Sequence, residues 1–237
     1  MNTRLTATVS SIIAVLAFTF ALTLGLPFGL TFESTVVAGA ADQPGTEVTP
    51  ESALQELIAG NKRFIAGQPT HPDDHKLSRT DLISGQAPIA AILACSDSRV
   101  PPDTIFDQGP GTLFMVRVAG NTADLLGEQS LGYAIVHLHT PLIVVLGHDS
   151  CGAVKAAVTA YPKLGVGPML SNIYPAIRSS HDETGDPVSN AINANVVNQV
   201  ELLSNYAPFA ERIKSGKLKI VGARYSLSTG QVNFLTK

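Results

Sequence analysis

The segment from 88 to 152 decides the fold of this chain; it begins with PIAAILACSDSR (88–99) and ends with LIVVLGHDSCG (142–152). Each of these two blocks opens with an apolar run that has the length and composition of a buried strand. Each run is followed at once by residues that bind soft metal ions. Because the carboxyl ends of parallel strands meet at one edge of a sheet, we expect the two blocks to lie side by side.

Strands and helices alternate through the rest of the chain. An amphipathic helix is predicted over 50–66, because Thr49, Pro50 and Glu51 form a helix start. Strands are predicted over 88–94, 113–118, 142–147 and 218–225, and a terminal hairpin strand over 231–235. Helices are predicted over 126–138, over 153–158 with Ser150 as the cap, and over 191–203. A turn is predicted at 101–102, and prolines up to Pro187 are expected to break the segment 161–187. This order predicts an α/β fold: a mostly parallel central sheet flanked by helices, with an antiparallel C-terminal hairpin strand and an N-terminal helical arm.

The first 41 residues have the pattern of a targeting segment. A positive start at Arg4 precedes an apolar stretch over 12–32, and Ala38-Gly39-Ala40 is a small-x-small cleavage site. A signal peptide and an uncleaved membrane anchor both fit, since the stretch is about long enough to span a bilayer. Either one predicts export to the periplasm or an equivalent extracytoplasmic compartment, with membrane contact only if the leader is retained. A polar linker over 42–48 and one domain over 49–237 follow.

The charge of the chain gives no electrostatic case for nucleic acid. The net charge is −3 over 237 residues, and no basic cluster is interleaved with aromatic side chains. The candidate functional residues therefore lie in the two blocks that follow the strands, 95–99 and 148–152.

Cys95, His148 and Cys151 form a candidate zinc site. The two cysteines are the only ones in the chain, and His148 lies three positions before the second. Three protein ligands of the Cys₂His type leave a fourth position for water, which is the pattern of a catalytic zinc site. Zinc would bring the pKa of that water towards about 7. A structural disulfide between the two cysteines is the alternative in an exported protein.

Asp97 and Arg99 lie beside the first ligand along an extended segment. The Arg99 guanidinium can hold the Asp97 carboxylate through two hydrogen bonds and keep it ionised. Asp97 could then accept a hydrogen bond from zinc-bound hydroxide, or it could occupy the fourth zinc position and close the site. A simple turn-stabilising ion pair is also open at this point. The other histidines are assigned to surface or packing roles: His71, His75, His137, His139 and His181.

At these residues the chain resembles the β-class carbonic anhydrases. The resemblance lies in CSDSR (95–99) and HDSCG (148–152), and extends over about 50–237 through GNKRF (60–64), GQ (85–86) and VRVAGN (116–121). It implies reversible hydration of carbon dioxide to bicarbonate and a proton by zinc-bound hydroxide, with one Zn²⁺ per subunit. It assigns the zinc to Cys95, His148 and Cys151, and the orienting dyad to Asp97 and Arg99.

The resemblance also implies pocket residues and an assembly. Substrate-binding positions are Gln86, Phe114, Tyr133 and Gly152. Some members hold a regulatory bicarbonate with a tryptophan, for which Ile92 stands here beside a retained Arg117, so a constitutively open site is expected. The family forms homodimers or homotetramers in which the N-terminal helix reaches across to a partner.

Two other functions fit the same residues. Enzymes that resemble this family hydrolyse carbonyl sulfide or carbon disulfide with the same ligands, and access to the pocket would decide between the gases. A non-catalytic exported zinc-binding or redox protein is the other alternative.

Overall fold

A computed structural model describes residues 48–70, 82–163 and 167–235. The predicted leader over 1–41, nearly all of the linker over 42–48, His71 and His75 lie outside the described residues. Within the described ranges, no helix combines the length and the apolar character needed to cross a bilayer.

A five-stranded sheet forms the centre of the molecule. Its strands are β1 (Ala90–Ala94), β2 (Leu113–Arg117), β3 (Leu142–His148), β4 (Lys219–Tyr225) and β5 (Val232–Phe234). They lie in the order β2-β1-β3-β4-β5, and all neighbours are parallel except the antiparallel pair β4–β5. The predicted mostly parallel sheet with an antiparallel C-terminal strand is thus confirmed.

The described helices cover both faces of this sheet. They are α1 (Pro50–Ile65), α2 (Pro102–Ile105), α3 (Leu125–Val136), α4 (Gly152–Ala160), α5 (Pro168–Ser171), α6 (Tyr174–Ser179), α7 (Pro187–Ser204) and α8 (Ala207–Lys214). Helix α2 lies where only a turn was predicted. Helix α7 starts four residues before the predicted start at 191, because Asp186 caps it by accepting a hydrogen bond from Ser189 N, with Pro187 as its first residue.

Helix α1 packs on its own chain. Thr49 and Ser52 form a reciprocal capping box, and the side chains of Leu54 and Leu57 are buried against one face of the sheet. The Asn61 amide donates to the carbonyls of Ile105 and Gly230 at 3.1 Å and 2.9 Å. The chain itself therefore covers Leu54 and Leu57 of this helix, whereas Ile65 near its end is 48% exposed.

The two central strands are buried on both faces. Every residue of β1 and β3 is buried, and alternate side chains enter separate hydrophobic clusters on the two sides of the sheet. Helix α7 approaches β3 closely at Gly147, where a Cβ would lie 2.5 Å from Val196 Cγ2. This close approach sets the distance between α7 and the strand that ends at His148.

The chain changes direction across the sheet between β1 and β3. From β1 it continues to β2 on one side, and from β3 it continues to β4 on the other. Such a switch point opens a crevice beyond the carboxyl ends of the two strands, where α/β sheets bind ligands. Both blocks of the sequence end in this crevice.

Candidate metal centre

The pairing of β1 with β3 brings the three predicted ligands together. Ala94 pairs with Leu146, so Cys95 follows the end of β1 beside His148, the last residue of β3. Cys151 is the N-cap of α4, one turn beyond. The ligand atoms of Cys95, His148 and Cys151 all lie within 4.8 Å of one another, and all three residues are buried.

The spacing of the two sulfurs fits a shared zinc ion. The Sγ atoms of Cys95 and Cys151 are 3.9 Å apart and unbonded. A tetrahedral zinc ion with Zn–S bonds of about 2.3 Å requires a separation of about 3.8 Å, whereas a disulfide requires about 2.05 Å. The geometry therefore favours two ligands of one ion over the disulfide alternative.

His148 presents one ring nitrogen to this position. Its Nδ1 lies 2.9 Å from the Asp149 carbonyl oxygen, which can only accept, so Nδ1 carries the proton and donates. Its Nε2 is buried without a hydrogen-bond partner among the described residues. A buried nitrogen lone pair without a partner is costly, and a metal ion satisfies it. The donor set thus fits Zn²⁺.

The two thiols have different proton affinities. The hydrogen bond from the Cys151 thiol holds the pKa of Cys95 below its ordinary value, with burial opposing it and the Gly120 N–H assisting. The same shared hydrogen bond, together with burial, raises the pKa of Cys151. The shared hydrogen bond thus favours a thiolate, the form that binds metal, at one of the two sulfurs.

Asp97 and Arg99 form a bidentate ion pair at the mouth of the site. Arg99 Nε donates to Asp97 Oδ1 at 3.0 Å, and Arg99 Nη2 donates to Asp97 Oδ2 at 2.7 Å. These hydrogen bonds hold the pKa of the Asp97 carboxyl well below its usual range, so that it is ionised at neutral pH. Asp97 Oδ2 is 3.9 Å from His148 Nε2, and the carboxylate therefore borders the metal position while Arg99 holds it.

Two further arginines support the ligand loops. Arg117 donates to the carbonyl oxygens of Cys95 and Asp97 at 3.1 Å and 2.6 Å. Arg224 Nε donates to Asp149 Oδ1 at 2.7 Å, and Asp149 supplies the carbonyl that orients His148. No sequence pattern points to Arg224, because it lies on β4 and meets Asp149 only through the sheet.

The residues assigned to the substrate pocket do not all meet at the metal centre. Gly152 follows Cys151 directly, but Gln86 is exposed and precedes β1, at the end opposite Cys95. Phe114 pairs with Ala91, which places it about 13 Å along the sheet from Cys95 at roughly 3.3 Å per residue.

Phe114 and Tyr133 form a separate aromatic pair. Their ring centroids are 6.2 Å apart, and the Tyr133 side chain is half-exposed. The chain thus separates these aromatics from its own metal ligands, and they lie on the side of the open edge strand β2.

Three smaller predictions concern polar residues near the site or on the surface. Ser150 does not cap α4, because it has a positive φ of 54° and Cys151 takes the N-cap position. His137 stacks on Tyr133 with ring centroids 5.3 Å apart, and the exposed His181 contacts Asp182. Neither histidine lies in the cluster of metal ligands.

Comparison with known proteins gives one consistent family. A family model described as carbonic anhydrase matches residues 90–232. Carbonic anhydrase 2 of Mycobacterium tuberculosis is 40% identical over 188 residues, covering 77% of this chain and 91% of that protein. The carbonic anhydrase of Mycolicibacterium smegmatis is 38% identical over 190 residues, covering 77% and 92%. A structure reported among two tetrameric β-carbonic anhydrases from Sordaria macrospora has a TM-score of 0.61 at 26% identity, covering 77% of this chain and 96% of that chain.

Proposed function

This chain belongs to the β class of the carbonic anhydrase family, and from that premise we propose that Cys95, His148 and Cys151 hold its zinc ion and that Asp97 and Arg99 complete the active site. Its activity is the reversible hydration of carbon dioxide to bicarbonate and a proton. The observation that carries the residue assignment is the convergence of two thiols and one partnerless imidazole nitrogen within 4.8 Å of one another.

Each residue of the site has a defined task. When bound, zinc supplies a water whose pKa is lowered to about 7 and which is therefore nucleophilic at neutral pH. The ionised Asp97 accepts a hydrogen bond from the attacking water and so directs its lone pair at the carbon of carbon dioxide. Arg99 holds the carboxylate through two hydrogen bonds, which keeps it out of the fourth ligand position. The pairing of Asp97 with Arg99 thereby favours the open form of the site.

The chain associates with itself through the side that carries Phe114 and Tyr133. The outer edge of β2 has no partner strand among the described residues. Large apolar side chains on β2 and α3 are exposed next to it: Met115 (44%), Leu125 (68%), Leu126 (71%), Tyr133 (49%) and Val136 (37%). Several large apolar side chains exposed on two neighbouring elements are typical of an interface. Because the fold separates Phe114 and Tyr133 from the metal ligands of their own chain, we infer that they line the partner's substrate pocket in such a pair.

The leader directs export. A positive start, an apolar stretch over 12–32 and the small-x-small site at 38–40 support this proposal. N-terminal sequencing of the protein from the envelope fraction distinguishes a cleaved signal peptide from a retained anchor. A start at Ala41 is expected for cleavage, and an intact protein found in the cytoplasm contradicts export.

The test of the activity is a stopped-flow assay of the purified, zinc-loaded chain with three gases. We expect rapid hydration of carbon dioxide, little turnover of carbonyl sulfide or carbon disulfide, and loss of activity in Cys95→Ser and His148→Ala. A fully zinc-loaded, folded chain without carbon dioxide hydration contradicts the proposal. Faster turnover of either sulfur gas would reassign the substrate while leaving the metal site in place.

A further inference from the structure

A main-chain N–H contacts one of the two sulfur ligands. Gly120 N donates a hydrogen bond to Cys95 Sγ at 3.3 Å. Gly120 has a positive φ of 80°, and a Cβ there would lie 2.9 Å from Ile173 Cδ1 and 3.3 Å from Ala153 Cβ. Glycine is therefore required both by the backbone conformation and by the space around it. The conformation of this loop thus directs the Gly120 N–H at Cys95 Sγ.

The loop that carries Gly120 is held by a different element. It joins β2 to α3, and two amide side chains of α7 contact its backbone. Asn195 Nδ2 donates to the Gly120 carbonyl oxygen at 2.8 Å, and Gln199 Oε1 accepts from Ala123 N at 2.8 Å.

These two amides form a buried unit on one face of α7. Asn195 and Gln199 are one helical turn apart, and only 1% and 4% of their surfaces are exposed. Gln199 Nε2 also donates to Asn195 Oδ1 at 3.5 Å, which fixes the orientation of both amides. Two buried amides carry a large desolvation cost, and their hydrogen bonds offset it only while the loop keeps its position.

We propose that Asn195 and Gln199 are positioning residues of the metal centre. By fixing the loop at Gly120 and Ala123, they keep the Gly120 N–H directed at Cys95 Sγ. This hydrogen bond draws electron density from the sulfur and orients it, and so sets how strongly the thiolate donates to the metal and how slowly the metal is lost. The inference rests on the proposed role of Cys95 as a zinc ligand.

The experiment compares Asn195→Ala with the wild-type chain after replacement of zinc by Co²⁺. Loss of the N–H···S bond raises the energy of the sulfur lone pairs, so the thiolate-to-cobalt charge-transfer band is expected to move to longer wavelength. Transfer of zinc from the zinc-loaded variant to a chelator is expected to be about tenfold faster or more, the range found when a partner of a metal ligand is removed.

Two control variants separate positioning from general destabilisation. Asn198→Ala removes the same side chain from the same helix at a position that does not hold the loop. Ile135→Val weakens the hydrophobic core through α3 and leaves Gly120, Ala123 and the two amides of α7 unchanged. Neither control is expected to move the cobalt band. If Asn195→Ala fails to fold, Gln199→Met gives the same test, and the band is expected to shift in the same direction. Methionine keeps the side-chain length but lacks the amide oxygen that accepts the hydrogen bond from Ala123 N.

The outcomes distinguish this inference from the assignment of the metal site. A cobalt band and a zinc-transfer rate in Asn195→Ala that match those of Asn198→Ala overturn the inference alone. A wild-type cobalt protein without any thiolate charge-transfer band overturns the role of Cys95 as a ligand, and the inference with it.

Discussion

At the scale of single residues, we propose that the ion pair between Asp97 and Arg99 decides whether the carboxylate reaches the metal position. Half of the Arg99 side chain is exposed, yet it makes two charge-assisted hydrogen bonds to a carboxylate that is only 17% exposed. Without Arg99, the Asp97 carboxylate is free to turn towards the fourth ligand position beside His148 Nε2, 3.9 Å away. On this proposal, the ion pair favours an open site and its loss favours a closed one.

We predict that Arg99→Leu lowers the rate of carbon dioxide hydration by about tenfold to a hundredfold, because the Asp97 carboxylate loses the two charge-assisted hydrogen bonds that hold it. The zinc content is expected to stay unchanged, because all three ligands remain. The matched control is Arg178→Leu, which removes an exposed arginine at the end of α6. Equal activities of the two variants would show that Arg99 does not hold Asp97 in a productive position.

We also predict that Arg224→Leu accelerates the loss of zinc. Arg224 holds Asp149, and the Asp149 carbonyl orients His148 through Nδ1. A freed Asp149 lets the imidazole rotate, and an effect of about tenfold on the rate of zinc transfer to a chelator is expected. The measurement is the same chelator assay, and a rate like that of Arg178→Leu would contradict the prediction.

The sequence predicts the candidate metal ligands better than the residues that hold those ligands in position. Cys95, His148 and Cys151 are evident because each follows a strand end or lies one turn from it, so local pattern and sheet topology agree. Arg224, Asn195 and Gln199 are not evident, because their partners lie far along the chain and no local spacing connects them. Phe114 and Tyr133 are predicted by resemblance, but the fold places them away from the metal ligands of the same chain.

At the scale of secondary structure, helix α7 contacts two parts of the metal centre. One is β3, which ends at His148, and the other is the loop whose Gly120 N–H contacts Cys95 Sγ. Gly147 lies one residue before His148. Because it has no side chain, it permits the close approach of Val196. The same helix carries Asn195 and Gln199 on its buried side. A change in the distance between helix and strand therefore acts on the core and on the metal centre together.

We predict that Gly147→Ala lowers the free energy of unfolding in urea by about 1–3 kcal/mol, because its Cβ would lie 2.5 Å from Val196 Cγ2. Val196→Ala in the same chain should recover part of this loss by removing the clash. Gly132→Ala is the control, because its added Cβ inside α3 would meet no described atom within 4 Å apart from its chain neighbours and the backbone of its own helix. A Gly147→Ala chain as stable as the Gly132→Ala chain would disprove the tight contact.

Element boundaries are predicted well where a cap or an apolar run marks them and less well at prolines. Helix α1 and strand β3 end within one residue of the predicted ends, since their caps and apolar runs are strong local signals. Pro187 was interpreted as a break, but in the structure it opens α7 after the Asp186 cap. Proline disfavours a helix interior and favours a first turn, and only the preceding cap distinguishes the two.

At the scale of the whole molecule, the exposed side formed by β2 and α3 predicts self-association. We expect the double variant Leu125→Glu, Leu126→Glu to be monomeric in analytical ultracentrifugation, because four close negative charges oppose pairing of two copies. Its zinc content is expected to be unchanged. Its activity is expected to fall, because Phe114 and Tyr133 no longer reach the partner's metal centre.

Leu202→Glu is the control for this variant. Leu202 is 42% exposed on α7, so the change adds a charge to another exposed apolar position. It is expected to leave the association through β2 and α3 intact. A double variant that still sediments with the mass of the wild-type assembly would contradict the proposed interface.

The central claim is that two thiolates and one imidazole hold a single zinc ion on which catalysis depends. The most direct measurement is a titration of the reduced, metal-free chain with zinc while the rate of carbon dioxide hydration is followed. We predict a rate that rises linearly, stops rising at one zinc ion per chain, and stays at the uncatalysed level throughout for Cys95→Ser. A Cys95→Ser chain that reaches the wild-type rate, or a wild-type chain that binds its zinc ion without gaining activity, would contradict the account.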